Sequence, residues 1–490
     1  MEAKMIAIKN IADATDDRVA PFGLSLSKSL PAWLQRFDTL NVNGVVRLLS
    51  RAAVGACALA CLSLAQAGIP MQHWTQASGA GVWLVASPTV PMVDVRIDFD
   101  AGGRRDPVAQ AGLASASVGM MSKGVRAVGG DVALDENALG EAWADLGASF
   151  GGGDSGDRLS FSLRSLTYPD LLARAVALAA RQLAEPAWPE AVWTRERERL
   201  VAALREANTR PATIAARTFN QAVFGSHPYG FDANEQTLAR IGVADMQAWH
   251  AQYLKPCRAK VSIVGAVTRA QADALVTQLL ARLPAGACEP LPPVAEVQAL
   301  GAAVEKHIPF ESAQAHVLIG QPGFKRDDPD FFTLTVGNYI LGGGGFVSRL
   351  TEEVREKRAL SYSVYSYFAP GLHAGAFTIG LQTRPDQAAR AVQVAREVLR
   401  RFVADGPTEA ELKAAKDNLI GGFALRIDNN RKLLDNVANI AAHGLPLDYL
   451  DTWTRQVAKV TVADIKAAFA RKLQPERMVT VIVGGREASR

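Results

Sequence analysis

Phe161-Ser-Leu163, Pro169-Asp170 and Ala173-Arg-Ala-Val176 recur further along as Phe377-Thr-Ile379, Pro385-Asp386 and Ala389-Arg-Ala-Val392, all three displaced by the same distance in the chain. A second set, Val243-Ala-Asp245, Pro256 and Val261-Ser-Ile-Val-Gly265, recurs at a nearly equal displacement as Val462-Ala-Asp464, Pro475 and Thr480-Val-Ile-Val-Gly484. Matches that keep their order at a nearly constant spacing mark two copies of one unit. In each copy a strand (93–99; 316–320) leads through a glycine-containing turn into a helix (110–121; 330–341). A strand (157–166; 374–383) and an amphipathic helix (171–183; 387–402) follow, and a Val/Ile strand closes the unit. Thr408 with Glu411 one helical turn on has the form of a capping box and predicts a further helix start. Strands and helices mixed without strict alternation predict an α+β fold. It is built as two duplicated α/β sandwich units, helices packed on a mainly antiparallel sheet.

Between the copies, Pro284-Ala-Gly-Ala-Cys-Glu-Pro290 and Leu291-Pro-Pro293 read as a Pro-rich linker, too poor in apolar residues to be core. The expected organisation is therefore an upstream segment (1–67), a first unit (68–283), a linker (284–297) and a second unit (298–490). The upstream segment has the pattern of a secretory signal. Arg47-Leu-Leu-Ser-Arg51 is a basic n-region, residues 52–64 are an apolar h-region, and Ala65-Gln-Ala67 is a small-residue site with cleavage expected after Ala67. The apolar run is too short for a permanent membrane span, which needs about 20 residues. Residues 1–46 precede this pattern, so the true start is expected near residues 42–46.

The 490-residue chain is 49% hydrophobic and 21% charged, as expected of a globular protein with more than one core. Removing 1–67 takes seven Lys/Arg from 53 and five Asp/Glu from 49, leaving a net charge of +2. The basic residues are interleaved with acids, which argues against nucleic acid. Of four cysteines, Cys257 and Cys288 remain after cleavage, one possible disulfide whose formation the sequence leaves open. The seven histidines are scattered, with no helical pair at metal-ligand spacing.

Ser348-Arg-Leu-Thr-Glu-Glu-Val-Arg-Glu-Lys-Arg358 predicts a short charged helix, and an alternating Ser/Tyr/Val strand is expected from Ser361. Arg355 and Tyr362 then flank a helix-to-strand corner, where a guanidinium and a phenol can be aimed at one carbonyl or peptide backbone. Gly342-Gly-Gly-Gly345 lacks the Lys-Ser/Thr of a nucleotide loop, so it reads as a flexible run letting backbone approach backbone. Gly153-Asp-Ser-Gly156 reads as a hairpin turn and His227-Pro-Tyr-Gly230 as a loop turn.

Several phrases together carry a family resemblance. They are Arg105-Asp106 with Ala111-Gly-Leu-Ala114 after a strand, Phe224-Gly-Ser-His-Pro-Tyr-Gly230, and Leu341-Gly-Gly-Gly-Gly-Phe-Val-Ser-Arg-Leu350, set in duplicated α+β units. The mature chain resembles the insulinase (pitrilysin) family of inverted-zincin metallopeptidases, which includes the mitochondrial processing peptidase. In catalytic members Gly-Leu-Ala precedes His-x-x-Glu-His, whose histidines bind zinc while the glutamate serves as general base. Here the position reads Ser115-Ala-Ser-Val-Gly119, with neither imidazole nor carboxylate. The third ligand is expected within 196–205, where the closest register puts Ala203, with Glu196 and Glu198 in the same window. The family's metal site is therefore expected to be missing, whereas Arg355 and Tyr362 match its Arg/Tyr pair, which holds the substrate backbone and the developing oxyanion.

What the resemblance implies is the zinc-free subunit of a two-chain periplasmic metallopeptidase. A paralogous partner would carry His-x-x-Glu-His and the zinc, and an extended peptide would be the substrate. Arg355 and Tyr362 would be the catalytic contribution, with Gly342, Gly343, Gly344 and Gly345 as candidate substrate contacts. The competing reading is a non-enzymatic peptide-binding or scaffold protein of the cell envelope.

Overall fold

The alternation in the strand at Leu159–Leu166 shows how the first sheet forms. Leu159, Phe161 and Leu163 are buried, while the serines and Arg164 between them are less so, which puts one face on the core and leaves the other available. The computed structural model describes residues 68–284 and 286–485; the expected signal segment lies outside them. The first half contains β1 (Met71–Thr75), β2 (Gly81–Ala86), β3 (Met92–Phe99), β4 (Gly124–Val125), β5 (Leu134–Asp135), β6 (Ser149–Asp154), β7 (Leu159–Leu166) and β8 (Lys260–Gly265). The second contains β9 (Val304–Ile308), β10 (Ala315–Pro322), β11 (Ser363–Phe368), β12 (Ala376–Thr383) and β13 (Val479–Val483).

The sheets run β1-β2-β8-β3-β7-β6 and β11-β12-β10-β13-β9, with β4 and β5 as a separate ribbon. Apart from β1, the orders are the same when β2, β8, β3, β7 and β6 are matched to β9, β13, β10, β12 and β11. In both, one pair is parallel (β2 with β8, β9 with β13) and the other pairs are antiparallel. The duplication read from the sequence is thus a duplication of topology. Helices cover one face of each sheet. Ala388–Asp405 buries Ala391, Val392, Ala395, Val398, Leu399 and Phe402, a stripe at helical spacing, and the helix after Thr408 starts with the expected capping box.

The remaining faces are covered reciprocally. Helix Pro211–Phe224 of the first half places Ala215, Phe219 and Val223 against Ala376, Val479, Val481 and Val483 of the second sheet. Helix Asn430–His443 of the second half places Leu434 and Val437 against Val85 and Val264 of the first. The starts of these helices, Pro211 and Asn430, are separated by the same stretch of chain as the second set of repeats, so they are equivalent elements exchanged between the halves. Each fully buried Val, Leu or Phe is worth roughly 1.5–3 kcal/mol, so parting the halves would expose apolar surface on both.

The linker has no regular secondary structure but is tied down along its length. Cys257 and Cys288 form a disulfide, with Cα atoms 6.2 Å apart. Arg258 donates to Glu289 O, Arg105 to Pro292 O, and Lys325 pairs with Glu296. Several boundaries shift by two or three residues, among them the starts of β7 at Leu159 and β12 at Ala376, and β11 starts at Ser363 rather than at Ser361. Ala359 has φ +48°, and Ser361 Oγ is spent on Ser363 O and Gln382 O, so the chain turns a corner before the ladder begins.

Candidate functional site

A cavity of about 1020 Å³ lies between the halves, in front of the helix where catalytic relatives would carry zinc. That helix, Leu113–Met120, starts at Gly112, whose φ of +101° suits glycine. Asp106 holds the start by accepting the N–H groups of Gly112 (2.9 Å) and Ala114 (3.0 Å). Burial pushes its carboxyl up to about 7, against the pull of those N–H groups. Ser115 Oγ donates to Asp154 Oδ2 at 2.9 Å, and Asp154 Oδ1 accepts Gly103 and Gly156 N–H at 3.1 and 2.8 Å. Gly153 and Asp154 thus end β6, and Ser155 and Gly156 open the expected hairpin turn to β7.

The residues present do not fit the family's zinc. The helix supplies Ser115 and Gly119 to the cavity where imidazoles would be needed. Of the window 196–205, Glu196, Arg199, Leu200 and Leu204 line the cavity and Ala203 does not. Glu196 is surrounded by cations, Arg199 at 2.8 Å, Arg195 at 3.5 Å and Lys123 at 3.6 Å. Burial opposes its ionisation, but Arg199 and Lys123 together hold its pKa below the ordinary glutamate range. A carboxylate neutralised in this way is a poor metal ligand. Among the described residues no group of three or more His, Cys, Asp or Glu is placed to hold a metal.

Arg355 and Tyr362 come together elsewhere. Arg355 lies on the π-helical turn Thr351–Glu356, and the chain reverses through Ala359, whose N–H bonds to Arg355 O at 2.9 Å. Arg355 Cζ sits 5.0 Å from the Tyr362 ring centre and 4.7 Å from that of Phe346, a cation lying over two aromatic rings. Tyr362 is 80% exposed and Phe346 72%. Neither Arg355 nor Tyr362 lines the cavity between the halves. Gly342 lets backbone approach backbone as expected, since a Cβ there would lie 2.6 Å from Ser366 N. Gly345 takes φ +62° and turns the chain so that Phe346 and Val347 stand in solvent.

Two tyrosines of this region carry no role in the sequence reading, which marks only an alternating Ser/Tyr/Val strand. Tyr365 and Tyr367 project from the same face of β11, 44% and 45% exposed, with rings stacked at 6.0 Å. Their period-two spacing was visible, but their exposure was not. The outer edge of β11 is capped: Asn338 Nδ2 donates to Ser366 O at 3.0 Å, and Thr351 Oγ1 lies 3.5 Å from Val364 O.

His227 is a turn residue whose Nδ1 accepts the Tyr229 N–H at 3.1 Å. Its loop joins the halves. Tyr229 donates to Asp157 at 2.6 Å and accepts the His373 N–H at 3.1 Å, while Asp157 also accepts the Leu372 N–H at 2.9 Å.

Residues 240–419 match the model of the peptidase M16 inactive domain. The crystal structure of a peptidase M16 inactive domain from Pseudomonas fluorescens is 33% identical and superposes with a TM-score of 0.80, covering 86% of this chain and 99% of that one. The chain belongs to the M16, or insulinase, peptidase family. A relative named non-peptidase homolog YmxG, from Helicobacter pylori, is 26% identical over 389 residues, 77% of this chain and 85% of that protein. An uncharacterized zinc protease of Mycobacterium bovis is 29% identical over 277 residues, so the match spans 63% of that relative's length and 56% of this chain. The periplasmic protease PqqL from Escherichia coli shares the fold, with a TM-score of 0.72 at 18% identity over 85% of this chain and 45% of that one. The family and α+β architecture expected from the sequence are those found, and it is the inactive type of M16 domain that residues 240–419 match. No helix among the described residues is long and apolar enough to cross a membrane.

Proposed function

We propose that this chain is the zinc-free subunit of a two-chain periplasmic M16 peptidase, lending Arg355 and Tyr362 to a hydrolytic site that a paralogous partner with His-x-x-Glu-His completes. The observation that supports this reading is the placement of the pair. Tyr362 is exposed and Arg355 is half-buried against its ring, both outside the chain's own cavity, so the pair is within reach of a second chain. Arg355 would hold a substrate carbonyl or the tetrahedral oxyanion through charge-assisted hydrogen bonds, and Tyr362 would donate its hydroxyl to the same group. The extended peptide would add as a strand to an outer sheet edge. β6, with Gly151–Gly153, is the better candidate, because β11 has its edge capped by Asn338 and Thr351. The segment 68–283 would face the partner's peptide chamber as one unit, with 298–490 as the unit presenting the pair.

The second reading, a peptide-binding or scaffold protein with no part in catalysis, is favoured by the neutralised Glu196 and by the non-peptidase name of the Helicobacter pylori relative. The deciding experiment is to co-purify the chain with a zinc-binding paralogue and assay each alone and both together on unstructured peptides. Hydrolysis by the mixture but by neither chain alone is the expected result. Equal activity of the zinc-binding chain with and without this one would make the scaffold reading correct.

A further inference from the structure

Tyr365 is paired across the ladder with Gly380 of β12, and a Cβ on Gly380 would lie 2.5 Å from the tyrosine ring. The glycine leaves the space in which the ring lies across the neighbouring strand. Tyr367, paired with Thr378, stacks on it with the rings 20° from parallel. On this same face, β10 and β13 are covered by helix Pro211–Phe224, whose Phe219 ring fills the place of a side chain at Gly320. The tyrosines therefore pave the strip of the second sheet which that helix leaves bare. Tyr367 and Thr378 also line the cavity between the halves, so one end of the strip is continuous with it. Beyond the start of β11 stands Tyr362 with Arg355. The Arg355 guanidinium lies over the Phe346 and Tyr362 rings, and its ion-pair partner is the exposed neighbour Glu356, at 3.3 Å from Nε.

We propose that this tyrosine shelf is a binding strip for an extended peptide with aromatic or branched aliphatic side chains at alternate positions and an adjacent carboxylate. The inference rests on the reading that this chain handles extended peptides. Three features favour that occupant. An extended chain lying over a sheet presents every second side chain at the ~6.6 Å repeat that separates Tyr365 from Tyr367. The capped edge of β11 prevents backbone pairing there, so recognition falls to the ring faces. The Arg355 guanidinium, paired through Nε with the exposed Glu356, keeps its terminal N–H donors for a carboxylate. The strip is two strands wide, which is too narrow for a stable interface with a folded partner, about 800 Å² on each side.

The test is fluorescence anisotropy on the full chain with two labelled decapeptides of identical composition in a Ser/Thr background with one Asp. One carries phenylalanines at alternate positions and the other carries them adjacent. The alternating peptide is expected to bind about tenfold more tightly, the scale of two aromatic contacts. The double variant Tyr365→Ser, Tyr367→Ser is expected to remove that preference, and Tyr365→Phe with Tyr367→Phe to keep it. Equal binding of the two peptides, or an unchanged preference in the serine variant, overturns the proposal. The comparison of peptides on the unaltered chain decides the matter even if the serine variant fails to fold. Binding is read without a partner, so the result is separable from the shared-site reading. A preference that survives alongside inert Arg355 and Tyr362 variants in the two-chain assay would leave the shelf and remove the shared site.

Discussion

Phe219 of the first half occupies the space above Gly320 of the second, where a Cβ would come within 2.8 Å of its ring and would run into Phe377 O. The contact is one side of the helix exchange that joins the halves. Phe219→Ala is expected to cost about 3–5 kcal/mol, because a cavity would open between helix Pro211–Phe224 and the second sheet it packs on. Gly320→Ala is expected to cost at least about 1–3 kcal/mol by overpacking. Both should move the denaturant midpoint of a single transition reported alike by tryptophans of the two halves. Two separated transitions in the unaltered chain would show that the exchanged helices do not couple the halves.

Tyr362 is exposed and Arg355 half-buried beside it, so Tyr362→Phe should leave folding within about 0.5 kcal/mol of the parent and Arg355→Ala should cost no more than about 1 kcal/mol. In the two-chain assay, Arg355→Ala or Tyr362→Phe is expected to lower peptide hydrolysis by roughly 10²-fold, the scale of losing one oxyanion donor. Tyr362→Phe is the more informative change, since it keeps the ring under the guanidinium and removes only the hydroxyl. Full activity in both variants would rule out the proposed role.

His443 lies at the end of the exchanged helix Asn430–His443 and lines the cavity. Burial first, then the charges of Arg158 and Arg326, push its pKa down from 6.5 to about 4. Because the folded value lies below the unfolded one, the unfolded chain binds the proton more readily between them. Stability from the neutral imidazole is fully present above pH 6.5 and is lost as pH falls towards 4. Solvent screening reduces the effect to the order of 1–2 kcal/mol. Denaturation curves of His443→Asn should show a shallower loss of stability over that window than the parent; parallel pH profiles would refute the assignment.

The Cys257–Cys288 bridge spans a sequence separation of 31 residues that includes β8 and helix Arg269–Leu280. Restricting that loop in the unfolded chain is worth about 2–4 kcal/mol. Cys257→Ser with Cys288→Ser is expected to lower stability by that amount and to increase protease cleavage within 284–297, read by mass spectrometry of limited digests. Cleavage at an unchanged rate would mean that Arg258, Arg105 and Lys325 are enough to hold the linker.

Much of the fold was legible because it is written in local pattern and in repetition. The alternation of Leu159, Phe161 and Leu163 marks a strand, Thr408 with Glu411 marks a helix start, and the near-constant spacing of repeated phrases such as Phe161-Ser-Leu163 and Phe377-Thr-Ile379 marks two copies. The start of β11 was misjudged because the corner depends on Ala359 at positive φ and on Ser361 bonding to Gln382 of another strand, neither of which has a local signature. The third-ligand window was legible as a region only. That Glu196 lines the cavity, while Ala203 does not, depends on how helix Glu190–Ala207 is rotated against the core.

By itself the sequence determined the α+β class, the duplication, and the loss of imidazoles at Ser115 and Gly119. These follow from residue identity and from the strand and helix periods, which any neighbourhood must respect. Only the tertiary structure decided that Phe219 and Leu434 cover the opposite half's sheet, that Glu196 is neutralised by Lys123 and Arg199, and that Arg355 lies against Tyr362 at the surface. It also decided that Tyr365 lies over Gly380. Each of these is a meeting of groups distant in the chain or turned by backbone geometry, and packing, with the space a missing Cβ leaves, selects which of them touch.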